Sequence, residues 1–203
     1  MTGAVPGSRT VRDVLTPFED AATDAEVIAS AQRWLEVAVI GLNLCPFAKA
    51  VHVKRQIRYA VTAATTAEEL LAELRHELEL LARAKPDEIE TTLLIHPQAM
   101  TEFIEFHFFL READAALRKL GHEGRLQIAS FHPAYEFAGS APGDIENCTN
   151  RSPHPMLHLL REASIERAVA TFPDAATIYE RNIETLRGLG HDGWRALGMP
   201  DPG

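Results

Sequence analysis

Apolar side chains recur at helical spacing from Val27 through Ile28, Ala31, Trp34, Leu35 and Ala38, which predicts a core-facing helix capped by Asp24 and ending near Gly41. Residues 52–61, HVKRQIRYAV, read as a first strand. Thr66 and Glu69 form a capping-box pair opening a helix that buries Leu70, Leu71, Leu74, Leu78 and Leu81 and closes at Lys85 and Pro86. The run 89–95, IETTLLI, reads as a second strand. Phe103, Phe106, Leu110, Ala113, Leu117 and Leu120 then repeat as a helix face up to Gly121, and 125–131 reads as a third strand. Beyond a long polar interval, 155–172 reads as a helix with Leu157, Leu160, Ile165, Ala168 and Val169 inside. Pro173 stops it, and Asp174 caps a last helix ending at Gly190.

Both the second and third strands end in His-Pro, and 36 residues separate His96 from His132, the length of one strand-helix-strand unit. The expected fold is therefore α/β: a single domain over 24–190, two- or three-layered, with a small, mostly parallel sheet of about three strands plus N- and C-terminal helices. Residues 1–23 are expected to be a loose arm and 191–203 a surface tail. If the strands are parallel neighbours, His96 and His132 share the carboxyl edge of the sheet, where open α/β folds bind ligands. The alternative is a split, mixed sheet of ferredoxin-like α+β type, which could place one histidine at the opposite edge.

The chain has 203 residues with 46% apolar content, enough for one ordinary core. A formal net charge of −9 without any basic block argues against nucleic acid or an anionic membrane surface as partner, so an anionic ligand has to be captured locally. Residues 34–51 are apolar but interrupted by Glu36, Asn43, Pro46 and Lys49, unlike a membrane span, and the first residues lack the apolar run of a signal peptide. Two cysteines, Cys45 and Cys148, do not make a disulfide scaffold, which points to the cytoplasm.

The segments WLEVAVIGLNLCPFAKAV, LLIHP, QIASFHPAYEFAG and DIENCTNRSPHPMLHLLREASIERAV resemble the uncharacterised bacterial family catalogued as domain of unknown function 1415. The likeness spans nearly everything from Trp34 to Val169 and implies no particular activity. It departs at His154, where that family usually has a tyrosine, which counts against His154 as an obligatory ligand or catalyst.

Candidate chemistry concentrates in the interval 132–153, a length of loop that is usually either functional or disordered; its two aromatics, His-Pro step and Asn/Arg cluster favour an ordered site. His96 and His132 are candidate general bases or metal ligands, or strand-end residues whose nitrogens satisfy loop carbonyls. His154 and His158, four apart at the expected helix start, add a weaker ligand pair in which His158 is the better candidate. The metal set is thus His96, His132 and His158, for a divalent transition metal such as zinc, iron or manganese. Asn147, Asn150, Arg151 and Ser152 precede that helix and could hold a carboxylate or phosphate on its amides and the guanidinium, with Tyr135 as a further donor. In the plainer reading they cap the helix and pair with Asp144 or Glu146. Cys45, just before Pro46, is either an N-cap thiolate favoured by a helix dipole or a small buried hydrophobe.

No Walker loop, GxGxxG or GxSxG occurs. The favoured reading is a cytoplasmic enzyme acting on a small anionic molecule, with Cys45 or a histidine-bound metal as reactive centre and His96 or His132 as base. Its alternative is a non-catalytic protein that binds a small anion or a partner. Under the enzyme reading, His132→Ala and Arg151→Ala abolish binding or activity and leave folding cooperative.

Overall fold

A computed structural model describes residues 22–171 and 177–199; most of the expected N-terminal arm lies outside them. Helix α1 (Asp24–Trp34) opens on a capping box, with the Thr23 side chain accepting from the Glu26 amide and the Glu26 carboxylate accepting from Thr23. The cap is thus Thr23, one residue before the expected Asp24, which instead supplies negative charge to the first turn. The chain continues into a six-residue π-helix, Leu35–Ile40. Part of the expected first strand is helical: α2 (Ala48–Val53) ends in a turn with Arg55 at φ 57°, and β1 is only Ile57–Val61. Then come α3 (Ala67–Arg83), β2 (Thr91–Ile95), α4 (Phe103–Lys119) and β3 (Leu126–Phe131), all close to the expected positions.

The expected helix 155–172 is divided. Met156–Arg161 forms strand β4, and helix α5 begins only at Glu162 and runs to Thr171. In the strand the run MLHLLR sends Met156, His158 and Leu160 to one face and Leu157 and Leu159 to the other. A short strand buried on both faces is apolar throughout, and periodicity alone does not separate such a run from a helix turn. Helix α6 (Ile178–Ala196) kinks at Gly190, the expected helix end, where φ 66° suits glycine, and continues through the segment expected to be a surface tail.

The sheet has four strands in the order β1-β2-β4-β3, so it is larger than expected and mixed rather than mostly parallel. β1 and β2 are parallel, whereas β4 lies antiparallel between β2 and β3, with His158 opposite both Leu93 and Ala129. Helices cover both faces. Leucines of α3 and the Phe106 side of α4 bury one face; α1, the π-helix and α6 bury the other. No helix among the described residues is long and apolar enough to cross a membrane.

Candidate functional site

The two His-Pro steps do meet. Because β2 and β3 are each antiparallel to β4, they run parallel to each other across it, and both end at the same sheet edge. The His96 and His132 rings pack on Phe106, with centroids 5.5 and 5.2 Å away. Their nitrogens, however, serve the turn after β2. His96 Nδ1 lies 2.8 Å from the Ala99 carbonyl, and His132 Nε2 lies 3.2 Å from that of Met100. Since a carbonyl only accepts, both of those nitrogens carry the proton. His132 Nδ1 in turn accepts from the Ala134 amide. Burial pushes both imidazoles down, His96 to about 4, so each is neutral near pH 7. His158 faces the opposite side of the sheet, so the expected metal set of His96, His132 and His158 is divided by the sheet itself.

The loop 132–153 spends most of its polar side chains on its own and adjoining backbone. Buried Arg151 donates to the carbonyls of Tyr135 and Pro142. Asn147 accepts from the Phe137 amide and the Ser140 hydroxyl and donates to the Ala141 carbonyl. Asn150 donates to Ser130 O, and Ser152 to His154 O. The Tyr135 ring packs between Phe103 and Phe137. The expected anion cradle is not formed, because Ser152 leads into strand β4 and not into a helix N-terminus. Arg151→Ala should therefore unpin the loop at a cost of about 1–3 kcal/mol, the range for stranding partners of a charged donor. A drop in the urea midpoint checks this; an unchanged midpoint would favour a ligand role for the guanidinium.

On the other face lies a cavity of about 850 Å³. Leu93, Phe131, His158 and Leu160 make its floor, and Trp34, Leu35 and Val39 one wall. The segment from Cys45 to Val51 and the α5 residues Ile165 and Ala168 close the sides. The π-helix shapes this wall. Its wide turn releases the chain through Asn43, left-handed at φ 56°, and the Leu44 and Cys45 amides both return to the Val39 carbonyl. Asn182 of α6 then donates to Leu44 O and holds the segment down.

Cys45 thus borders the cavity instead of capping a helix, since α2 starts only at Ala48. The Phe47 and Ala48 amides approach the sulfur and favour the thiolate, but burial outweighs them and raises the thiol pKa. The thiolate expected from the Cys-Pro step is disfavoured. His154 sits on no helix face with His158; its Nε2 meets Ser30 Oγ at 2.8 Å and ties the start of β4 to α1.

His158 is oriented by Thr91. Its Nε2 lies 2.7 Å from Thr91 Oγ1, which itself lies 2.6 Å from the Leu159 carbonyl. That carbonyl can only accept, so the single hydroxyl proton goes there and His158 Nε2–H donates to Thr91. The Nδ1 lone pair remains, without a hydrogen-bond partner among the described residues, and the ring borders the cavity. Burial lowers this imidazole to about 4 as well.

The cavity's charged end lies where β1 and β2 begin and β4 ends, the sheet edge opposite the His-Pro steps. Lys54, Arg161 and Arg167 line it together with Asp87 and Glu90. Arg161 donates to the carbonyls of Leu81, Ala84 and Ile89, closing the end of α3. Arg167 contacts Glu90 at 3.5 Å and Ser164 Oγ at 2.8 Å. A smaller depression of about 240 Å³ shares Arg161 and Arg167 and adds Arg125. Sequence reasoning passed over these cations; the signal was an arginine closing the apolar run MLHLLR, with a second arginine six residues on.

No curated protein and no solved structure matches the chain. The model of the family described as protein of unknown function (DUF1415) matches residues 26–196, and the chain belongs to that family.

Proposed function

We propose that the protein binds a small organic anion with an apolar body, the body lying in the cavity over β2 and β4 and a carboxylate or phosphate head at Arg167 and Lys54. The observation that carries this reading is a mostly apolar cavity of about 850 Å³ whose charged groups, three cations and the two carboxylates Asp87 and Glu90, gather at one end. That size falls within the roughly 300–1,000 Å³ typical of small-molecule sites. A chain of net charge −9 repels anions at long range, so recognition rests on these few groups and on apolar burial. The anionic ligand class is the one the sequence suggested, but its place is the opposite sheet edge from the loop 132–153.

Binding is favoured over thiol-dependent group transfer. Cys45 lies in the cavity, yet burial keeps its proton on, and a nucleophile would need a base to remove it. His96 and His132, with their proton positions fixed by backbone groups on the far side of the sheet, have no part in this site.

Titration calorimetry with octanoate and with octanol tests the proposal. Octanoate should bind with a negative heat-capacity change and about fivefold to tenfold more tightly than the alcohol, an advantage that shrinks with salt and in Arg167→Gln. Equal affinities for acid and alcohol would remove the anion head from the proposal, and no binding by either would remove the cavity.

A further inference from the structure

The floor of the cavity holds an acceptor that no neighbour satisfies. His158 lies in the middle of the interior strand β4, opposite Leu93 and Ala129. Its proton is committed through Thr91 to the Leu159 carbonyl, and that relay cannot reverse, because the carbonyl has no proton to return. Nδ1 is therefore a fixed acceptor bordering an otherwise apolar surface. Because burial holds the ring neutral down to about pH 4, it keeps this role throughout the neutral range.

We infer that the ligand carries a hydrogen-bond donor, a hydroxyl or N–H, on its apolar body, placed to be received by Nδ1 of His158. The inference rests on the cavity being the ligand site. A purely hydrocarbon body would cover Nδ1 and strip it of any water that had occupied the position, a loss an apolar contact does not restore. The end of β4, where Arg167 and Lys54 line the cavity, lies three residues on from His158, about 10 Å at strand rise, so the donor sits at about that distance from the anionic head. The class of ligand is thus a hydroxylated or N–H-bearing amphipathic acid and not a plain alkanoate.

The test compares octanoate with omega-hydroxyoctanoate on the full chain by calorimetry. In an apolar cavity without an acceptor, the added hydroxyl weakens binding, because it must be dehydrated. Here the hydroxy acid is expected to bind about three- to tenfold more tightly. It should also shift the His158 Nδ1 resonance in nitrogen NMR, whereas octanoate should not produce that hydrogen-bond shift. In His158→Gln the amide nitrogen can still donate to Thr91, but nothing replaces Nδ1, and the preference should reverse. Wild-type protein that binds octanoate more tightly than the hydroxy acid overturns this inference alone. Failure of both acids to bind overturns the cavity reading and this inference with it.

Discussion

Replacing Trp194 with alanine is expected to lower stability by about 3–5 kcal/mol, the range for truncating a large aromatic in a packed core. Trp194 is 1% exposed and belongs to the same apolar cluster as Val27, Ala31 and Leu186, although it lies beyond the Gly190 kink in a stretch whose sequence suggests a tail. The end of α6 is also tied to α1, since Arg33 donates to the Leu197 carbonyl. For a chain of this size the melting temperature should fall by roughly 6–20 °C. His191→Ala, at an exposed position one helical turn earlier, should stay within about 0.5 kcal/mol and serves as the control. Urea denaturation of both variants gives the comparison. Equal costs would mean that the segment after Gly190 contributes nothing to the core. Because Trp194 packs with α1, and Trp34 of α1 lines the cavity, the variant should also weaken octanoate binding.

The elements with local signals were legible. Thr66 and Glu69 announced α3 through a capping box, and its leucines fell at helix spacing; the structure shows both. The repeated His-Pro step located the ends of β2 and β3 and brought His96 and His132 to one edge. Strand order was not legible, because β4 inserts between β2 and β3 through pairing with both, and nothing in MLHLLR encodes which strands it joins. The helix expected to end near Gly41 is there, but its π geometry over Leu35–Ile40 and the short helix Ala48–Val53 carry no separate period in so apolar a stretch.

The cavity proposed as the ligand site was not legible for a different physical reason. A loop without a hydrogen-bonding ladder must satisfy its backbone with side chains, so a high density of Asn, Arg and Ser is what a pinned loop requires. In 132–153 Asn147 and Arg151 bond to the loop's own backbone, so their density has a structural origin. The cavity, by contrast, is assembled from α1, the segment after the π-helix, β2, β4 and α5. Each contributes one or two ordinary residues, so no contiguous motif exists to be read.

Acid should destabilise the protein between about pH 6.5 and 4, well before most carboxylates titrate, and His96 should account for much of the loss. Its folded pKa of about 4 lies below the ordinary value near 6.5 because the ring is removed from solvent; the Ala99 carbonyl offsets part of that shift, and nearby His132 adds to it. Between those two values the unfolded chain binds more protons than the folded one, so stability rises with pH across this window and the effect is complete above it. Going from pH 7 to 4.5 should cost about 2.5 kcal/mol through His96 alone. His158, also lowered to about 4 by burial, acts in the same direction over the same window, in wild type and in a His96 variant alike. His96→Asn isolates the effect, since the asparagine amide can donate to the Ala99 carbonyl in place of Nδ1 without titrating. Urea midpoints of the two proteins should therefore diverge as the pH falls, with the variant losing less. Carboxylates held below their usual range, such as Glu79 beside Arg83 and Glu146 beside Arg187, lose stability at lower pH in both proteins, so they cancel from the difference. Parallel curves would mean that His96 is protonated in the folded state and that its ring lies in water and not against Phe106.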